Sequence, residues 1–258
     1  MHNDYYSITE APGLKASKEQ LSRLYHRYRF ASDYASNRDV LEVACGSGIG
    51  LGYLALTARH VVGGDIDAKN VGIACDLYKG NKNIDIISLD AHHLNDPDSS
   101  FELVLLYEAI YYLQKPQVFV AEAFRVLRQG GSLIICSVNK DWEDFHPSPF
   151  THHYFSVPEL FQLLVEQFDS VDLYGAFPTK SNGFSGRCVS LIKRTATRFH
   201  LIPGSLAARA YLKRIFIGPL QPLPSQIQPN MADYVPPVPL SPDQSTGDFK
   251  IIYAVARK

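Results

Sequence analysis

The run Val40-Leu41-Glu42-Val43-Ala44-Cys45-Gly46-Ser47-Gly48-Ile49-Gly50-Leu51-Gly52 decides how the rest of the chain is read. Its first five residues form a short apolar stretch of the kind that makes a parallel strand buried on both faces. A glycine-dense turn follows, and a helical pattern resumes through Tyr53, Leu54, Leu56 and Thr57. Glycine suits such a turn because it accepts positive φ and because its missing Cβ lets a ligand approach the backbone. Strand, glycine turn and helix in that order make the edge on which doubly wound α/β proteins hold nucleotide-like cofactors. Spacing narrows the choice. Counted from Gly46, the third position of Gly-x-Gly-x-x-Gly is Leu51; counted from Gly48, it is Tyr53. The dinucleotide fingerprint fails in both registers, which ranks a nicotinamide oxidoreductase last.

What remains is Glu42 two residues ahead of Ala44-Cys45-Gly46-Ser47-Gly48. It resembles the first motif of class I S-adenosylmethionine (SAM) dependent methyltransferases, in their type-11-like, small-molecule or glycan branch. Ala44 stands where many members carry glycine. The resemblance implies an α/β fold with a doubly wound, mostly parallel seven-stranded sheet, SAM as cofactor, and cofactor contacts from Glu42, Ala44, Cys45, Gly46 and Gly48.

The segments downstream agree. Residues 61–67 read as a second buried strand ending in acid, with Asp65 about 20 residues beyond the first turn, where a carboxylate meets ribose hydroxyls in this architecture. Asp65 and the adjoining Ile66 are therefore cofactor candidates, while Asp67 suits the N-cap of the next helix. Residues 84–90 read as a third strand; the resemblance gives the adenine amino group to Asp90 and the ring edge to Ala91. Residues 101–106 read as a central strand running into Tyr107-Glu108-Ala109-Ile110-Tyr111-Tyr112. This resembles the family's post-strand segment, in which an aromatic residue and Glu face the site. Tyr112 stands where members often have His. An Arg-Val-Leu-x-x-Gly-Gly turn at 125–131 precedes a fifth strand at 132–138, a further mark of the family. A sixth strand is expected at 171–177 and the last at 249–256, as an antiparallel edge pair.

Ahead of the core, Lys18 to Tyr34 reads as a helix carrying Tyr25-His26-Arg27-Tyr28-Arg29-Phe30. It resembles the family's Arg-Tyr-x-Phe-Ala entry helix, which implies that Arg27 pairs with the SAM carboxylate, a role suited to a planar donor fork. Tyr5 and Tyr6 are candidates for an N-terminal flap. The division expected is an N-terminal helical cap at 1–36, a SAM-binding core at 37–177, an insertion at 178–247 and a final strand at 248–258. The insertion is basic first, with no Asp or Glu from Arg187 through Ala232, and proline-rich from Pro219 to Pro242. It reads as a substrate lid.

Composition bounds the rest. With 258 residues the chain can bury a large core, and a net charge of −1 gives no global field for nucleic acid or acidic membrane. No apolar run reaches the roughly 18 residues of a membrane span. Cys45, Cys75, Cys136 and Cys188 are scattered, which fits reduced thiols in a cytoplasm. His92-His93 and His152-His153 are adjacent pairs whose side chains diverge on regular elements, so no metal site is expected. Methyl transfer from a sulfonium needs alignment and exclusion of water. An oxygen nucleophile also needs a base, for which His152, His153 and Glu108 are the candidates. The expected acceptor is a small molecule or sugar-containing metabolite, anionic in character, with a homodimer left open. An RNA methyltransferase gripping phosphates with the basic insertion and a non-catalytic SAM-fold interaction protein are the alternatives.

Overall fold

The structure, a computed structural model, describes residues 6, 9–148, 150–179 and 219–258. After the two-residue strand β1 (Lys15–Ala16), Ser17 starts helix α1 (Lys18–Ala35) with a capping box. The Gln20 amide donates to the Ser17 hydroxyl, and the Ser17 amide donates to the Gln20 side chain. Then follow β2 (Asp39–Val43), α2 (Leu51–Leu54), β3 (His60–Asp65), α3 (Ala68–Leu77), β4 (Ile84–Ser88), β5 (Phe101–Tyr107), α4 (Pro116–Val126) and β6 (Leu127–Val138). The chain continues through α5 (Val157–Val165), β7 (Ser170–Pro178), β8 (Gln221–Pro222), β9 (Val238–Leu240) and β10 (Phe249–Arg257).

Among the described residues the main sheet runs β4-β3-β2-β5-β6-β10-β7-β9. Strands β2 to β6 pair in parallel, and β10 lies antiparallel between β6 and β7. The architecture is the doubly wound α/β sheet, with eight strands instead of the seven expected. The extra strand, Val238-Pro239-Leu240, pairs with β7 from the outer edge. Proline is tolerated there because an edge strand leaves one row of amides unpaired. Two further boundaries differ from the sequence pattern. The helix after the glycine turn stops at Leu54, because the Leu56 and Thr57 amides bond three residues back and tighten the turn. Strand β6 begins at Leu127, directly after α4.

Alternation along the strands fills two cores. Val40, Leu103, Leu105, Ile134, Tyr253 and Val255 point to the layer of α1 and α2. Leu41, Val43, Val104, Leu106, Leu133 and Ile135 point to that of α4 and α5. Each such side chain contributes about 1.5–3 kcal/mol on burial, so both faces hold the sheet.

The described part of the insertion does not cover the sheet's carboxyl edge. Strand β8 pairs with β1, the Ile227 amide donates to Ile49, and the Val235 carbonyl meets His26 Nε2. Residues 221–235 thus buttress α1 and the glycine turn from outside. The basic half, with Arg187, Lys193, Arg194, Arg198, Arg209, Lys213 and Arg214, lies outside the described residues, as does Cys188. Of the other cysteines, Cys45 and Cys136 are buried and Cys75 is exposed. Among the described residues no helix is long and apolar enough to cross a membrane.

Helix α1 sits on the glycine turn through Tyr28, whose ring would lie 1.9 Å from a Cβ placed on Gly50. Gly50→Ala should therefore destabilise by about 1–3 kcal/mol through overpacking. Gly72→Ala, where an added methyl meets nothing within 4 Å in the middle of α3, should stabilise by about 0.5–1 kcal/mol. Urea denaturation of both variants checks the pair.

Candidate cofactor and acceptor site

The strand order reverses between β2 and β5, where carboxyl ends diverge and ligands of open α/β sheets bind. A cavity of about 390 Å³ lies at that edge, lined from the ends of β2, β3, β4 and β5 and roofed by α1. Backbone strain gathers at its floor. Ala44 (φ 57°) follows β2 and Glu108 (φ 52°) follows β5, both in the left-handed region. Such positions persist only where surroundings impose them, and they concentrate at functional sites. Ala44 thus holds the conformation that makes glycine common at its position. Gly46 (φ 58°) continues the turn, and its amide donates 2.8 Å to Asp65 Oδ2.

Acids and their neighbours define the middle and far ends. Asp65 also accepts from the Asp67 amide (2.9 Å) and from Asn70 Nδ2 (3.3 Å). Burial outweighs these three donors and leaves its carboxyl above the usual range. Asp67 caps α3 by accepting from the Lys69 and Asn70 amides, as the sequence suggested. Asp90 accepts from the His92 amide (2.8 Å) and faces His92 Nδ1 (2.9 Å). Burial alone would raise the Asp90 carboxyl; the bonds from His92 bring it below the ordinary value.

Glu42 is 1 % exposed and accepts 2.6 Å from the Tyr28 hydroxyl. Burial outweighs that bond and lifts its carboxyl from 4.5 to about 7. Arg27, 6 % exposed, pairs with Glu10 from the segment ahead of α1. Burial works against its charge, but the carboxylates of Glu10 and Glu108 outweigh that, so the guanidinium stays charged. Glu108 accepts 2.8 Å from the Tyr111 hydroxyl. Crowding by protein raises its carboxyl despite Arg27, Tyr111 and Arg23.

Of the candidates read from sequence, Arg27, Glu42, Ala44, Cys45, Gly46, Asp65, Ile66, Asp90, Ala91, Tyr107 and Glu108 all line this cavity. Gly48 does not: its carbonyl accepts from the Tyr78 hydroxyl (2.7 Å), and it packs on Ala74. His152 and His153 do not line it either. Both side chains are exposed, their amides donate to the Tyr111 carbonyl, and His153 Nε2 lies 3.7 Å from Glu159. Tyr5 lies outside the described residues, whereas the Tyr6 amide donates to Asp67 (3.1 Å) and its ring sits under Lys69. Sequence reading missed Glu10, Arg23, Asn70 and Tyr111, which also line the cavity. Arg23 is one helical turn before Arg27 on α1, a spacing that shares a face. Glu10 carries no such signal.

The polar groups suit a nucleoside bearing an amino acid. Arg27 Nε, Glu42 Oε2 and the Tyr107 hydroxyl are buried without a hydrogen-bond partner, an arrangement that a polar ligand would resolve. A family model described as "Methyltransferase domain" matches residues 41–135. Over this stretch the chain is similar to class I SAM-dependent methyltransferase domains. Its relatives include a probable SAM-dependent methyltransferase of Mycolicibacterium smegmatis, 32% identical over 64% of this chain and 65% of that one. A fatty-acid O-methyltransferase of the same organism is 36% identical over 49% and 48%. A phthiotriol/phenolphthiotriol dimycocerosates methyltransferase of Mycobacterium tuberculosis is 37% identical over 42% and 40%. The chain thus spans less than two thirds of the length of these curated relatives.

Solved structures match in fold. The YcgJ protein of Bacillus subtilis superposes with a TM-score of 0.57 at 18% identity, over 91% of this chain and 99% of that one. The cyclase SpnF gives 0.56 at 17%, over 99% and 91%. A cyclase among these neighbours means that the fold alone does not determine methyl transfer. SAM is the cofactor of the methyltransferase domain, and its acids and Arg27 fit that group.

Glu42 sets a pH dependence. Its folded value near 7 exceeds 4.5, so the folded state holds a proton that the unfolded chain has released between those values. Its contribution to stability therefore falls as pH rises from about 4.5 to 7 and is flat above, a loss on the order of 3 kcal/mol. Glu42→Gln should remove that slope, as read from urea midpoints of both proteins between pH 5 and 8.

Proposed function

We propose that this chain transfers a methyl group from SAM to an oxygen atom of a small, largely apolar molecule. The carrying observation is a carboxylate, Glu108, held at the end of β5 among tyrosines in the cavity that bears the nucleoside-type acids. Bound SAM supplies an electrophilic methyl on a sulfonium sulfur. In this reading Asp65 accepts from the ribose hydroxyls, Asp90 and Ala91 meet the adenine edge, and Arg27 takes the α-carboxylate. Glu108 would receive the proton of the acceptor hydroxyl as the acceptor oxygen gains the methyl, the electron pair of the broken methyl–sulfur bond staying with sulfur. Arg23 and Arg27, whose charges both act on Glu108, favour the ionised form that a base must have.

The acceptor end supports the substrate class. Tyr111 and Tyr112 line it with Leu113 and Val138, and Tyr111 stacks on Tyr154 at 4.3 Å. Arg23 lies between the Trp142 and Phe177 rings, 5.6 Å from each, and its Nε is buried without a partner. An acceptor with an apolar body and an anionic group suits this wall; a relative is named for fatty acids, which have both, and another for phthiotriols, which share the apolar body. The exposed histidines His152 and His153 are not given the base role in this proposal.

Two measurements test the reading. Asp65→Ala should weaken SAM binding about tenfold or more by calorimetry, through loss of charge-assisted hydrogen bonds; unchanged affinity would contradict the ribose assignment. With a panel of hydroxylated and carboxylated apolar acceptors, wild-type protein should release S-adenosylhomocysteine. Glu108→Gln should slow that release about 100-fold at unchanged SAM affinity. The wild-type rate should fall as pH drops through a value above the ordinary 4.5 of Glu, since burial raises this carboxyl.

A further inference from the structure

Arg27 and Glu10 face each other across the amino-acid end of the cavity, and each lines it. Arg27 comes from α1. Glu10 comes from the opposite wall, where three hydrogen bonds and one packing contact pin its segment to the turns of the cofactor site. The Ser47 hydroxyl donates 3.1 Å to the Glu10 carbonyl. Asn70 Nδ2 donates 3.2 Å to Thr9 Oγ1, and the Thr9 methyl lies 2.8 Å from where a Cβ on Gly46 would sit. The Tyr6 amide donates 3.1 Å to Asp67. The backbone of Glu10 is therefore fixed by the same turns that present Asp65, while its side chain is 40% exposed and retains freedom to turn.

A guanidinium does not lose its proton in proteins, so buried Arg27 needs an anion whether or not the cavity is filled. Its Nε has no partner even with Glu10 in place, so the pair leaves donor capacity unused. A ligand carboxylate arriving on Arg27 would leave the half-exposed Glu10 carboxylate without its cation and free to take another. An incoming α-amino acid carries the compensating charge.

We propose that Glu10 is the ligand of the α-ammonium group of SAM, and that the Arg27–Glu10 pair opens to receive the amino-acid end as a zwitterion. The carboxylate goes to Arg27 and the ammonium to Glu10, so one ion pair becomes two with no change in net charge. This inference rests on the reading that the cavity takes SAM. The segment ahead of α1 then discriminates nucleosides that carry an amino acid from those that do not.

The test uses the full chain and two probes, S-adenosylhomocysteine and 5′-methylthioadenosine, which lacks the amino-acid end. Calorimetric affinities are measured for wild type, Glu10→Gln and Glu10→Ala, with thermal melts to verify folding. The proposal expects both variants to bind S-adenosylhomocysteine about tenfold or more weakly, and 5′-methylthioadenosine within about twofold of wild type. Unchanged or tighter S-adenosylhomocysteine binding in Glu10→Gln overturns it; tighter binding would show Glu10 to be a competitor for Arg27. A parallel loss for both probes overturns it as well, since the segment would then serve only as scaffold. Failure of both probes to bind wild type would instead remove the SAM reading itself.

Discussion

The chain must leave β2 abruptly, and the structure depends on how that break is held. Ala44 and Gly46 both adopt positive φ, which turns the backbone away from the sheet and aims the Gly46 amide at Asp65. That single bond joins the turn after β2 to the end of β3. A parallel sheet cannot close its own carboxyl edge, so the break leaves a space between diverging loops. Polar groups placed there are shielded from bulk water without being filled in by apolar packing.

The roof explains why those groups stay charged or strained. Tyr28 is wedged over Gly50 and reaches Glu42, so α1 is locked to the turn by one side chain that both packs and hydrogen-bonds. The next residue back along α1, Arg27, is thereby placed inside the cavity. A buried cation draws anions, and two carboxylates, Glu10 and Glu108, act on it from different elements. The result is a site in which cation and acid are already opposed before any ligand enters. Residues 221–235 brace α1 from its outer side, so their contribution to the site is indirect.

Much of this was legible in the chain. Asp65 and Asp90 declare themselves because each stands where an apolar run gives way to polarity, and Glu42 because it interrupts one. Asp67 was readable as a cap, since its side chain needs only local amides. Other features depend on distant contacts. Glu10 sits in a polar segment with no periodicity, and only its pairing with Arg27 gives it meaning. Strand β9 hides behind its proline. His152 and His153 suggested a base by residue type, yet the chain spends their amides on Tyr111 and turns both side chains outward. Spacing alone could not reveal that direction.

The account turns on a nucleoside lying across the carboxyl edge of β2 to β5 beneath α1. A crystal structure of the full chain grown with S-adenosylhomocysteine tests this most directly. The account expects ribose on Asp65, adenine beside Asp90 and Ala91, and the α-carboxylate on Arg27. Density for the nucleoside elsewhere, or an edge still filled by the protein's own side chains at saturating ligand, would contradict it.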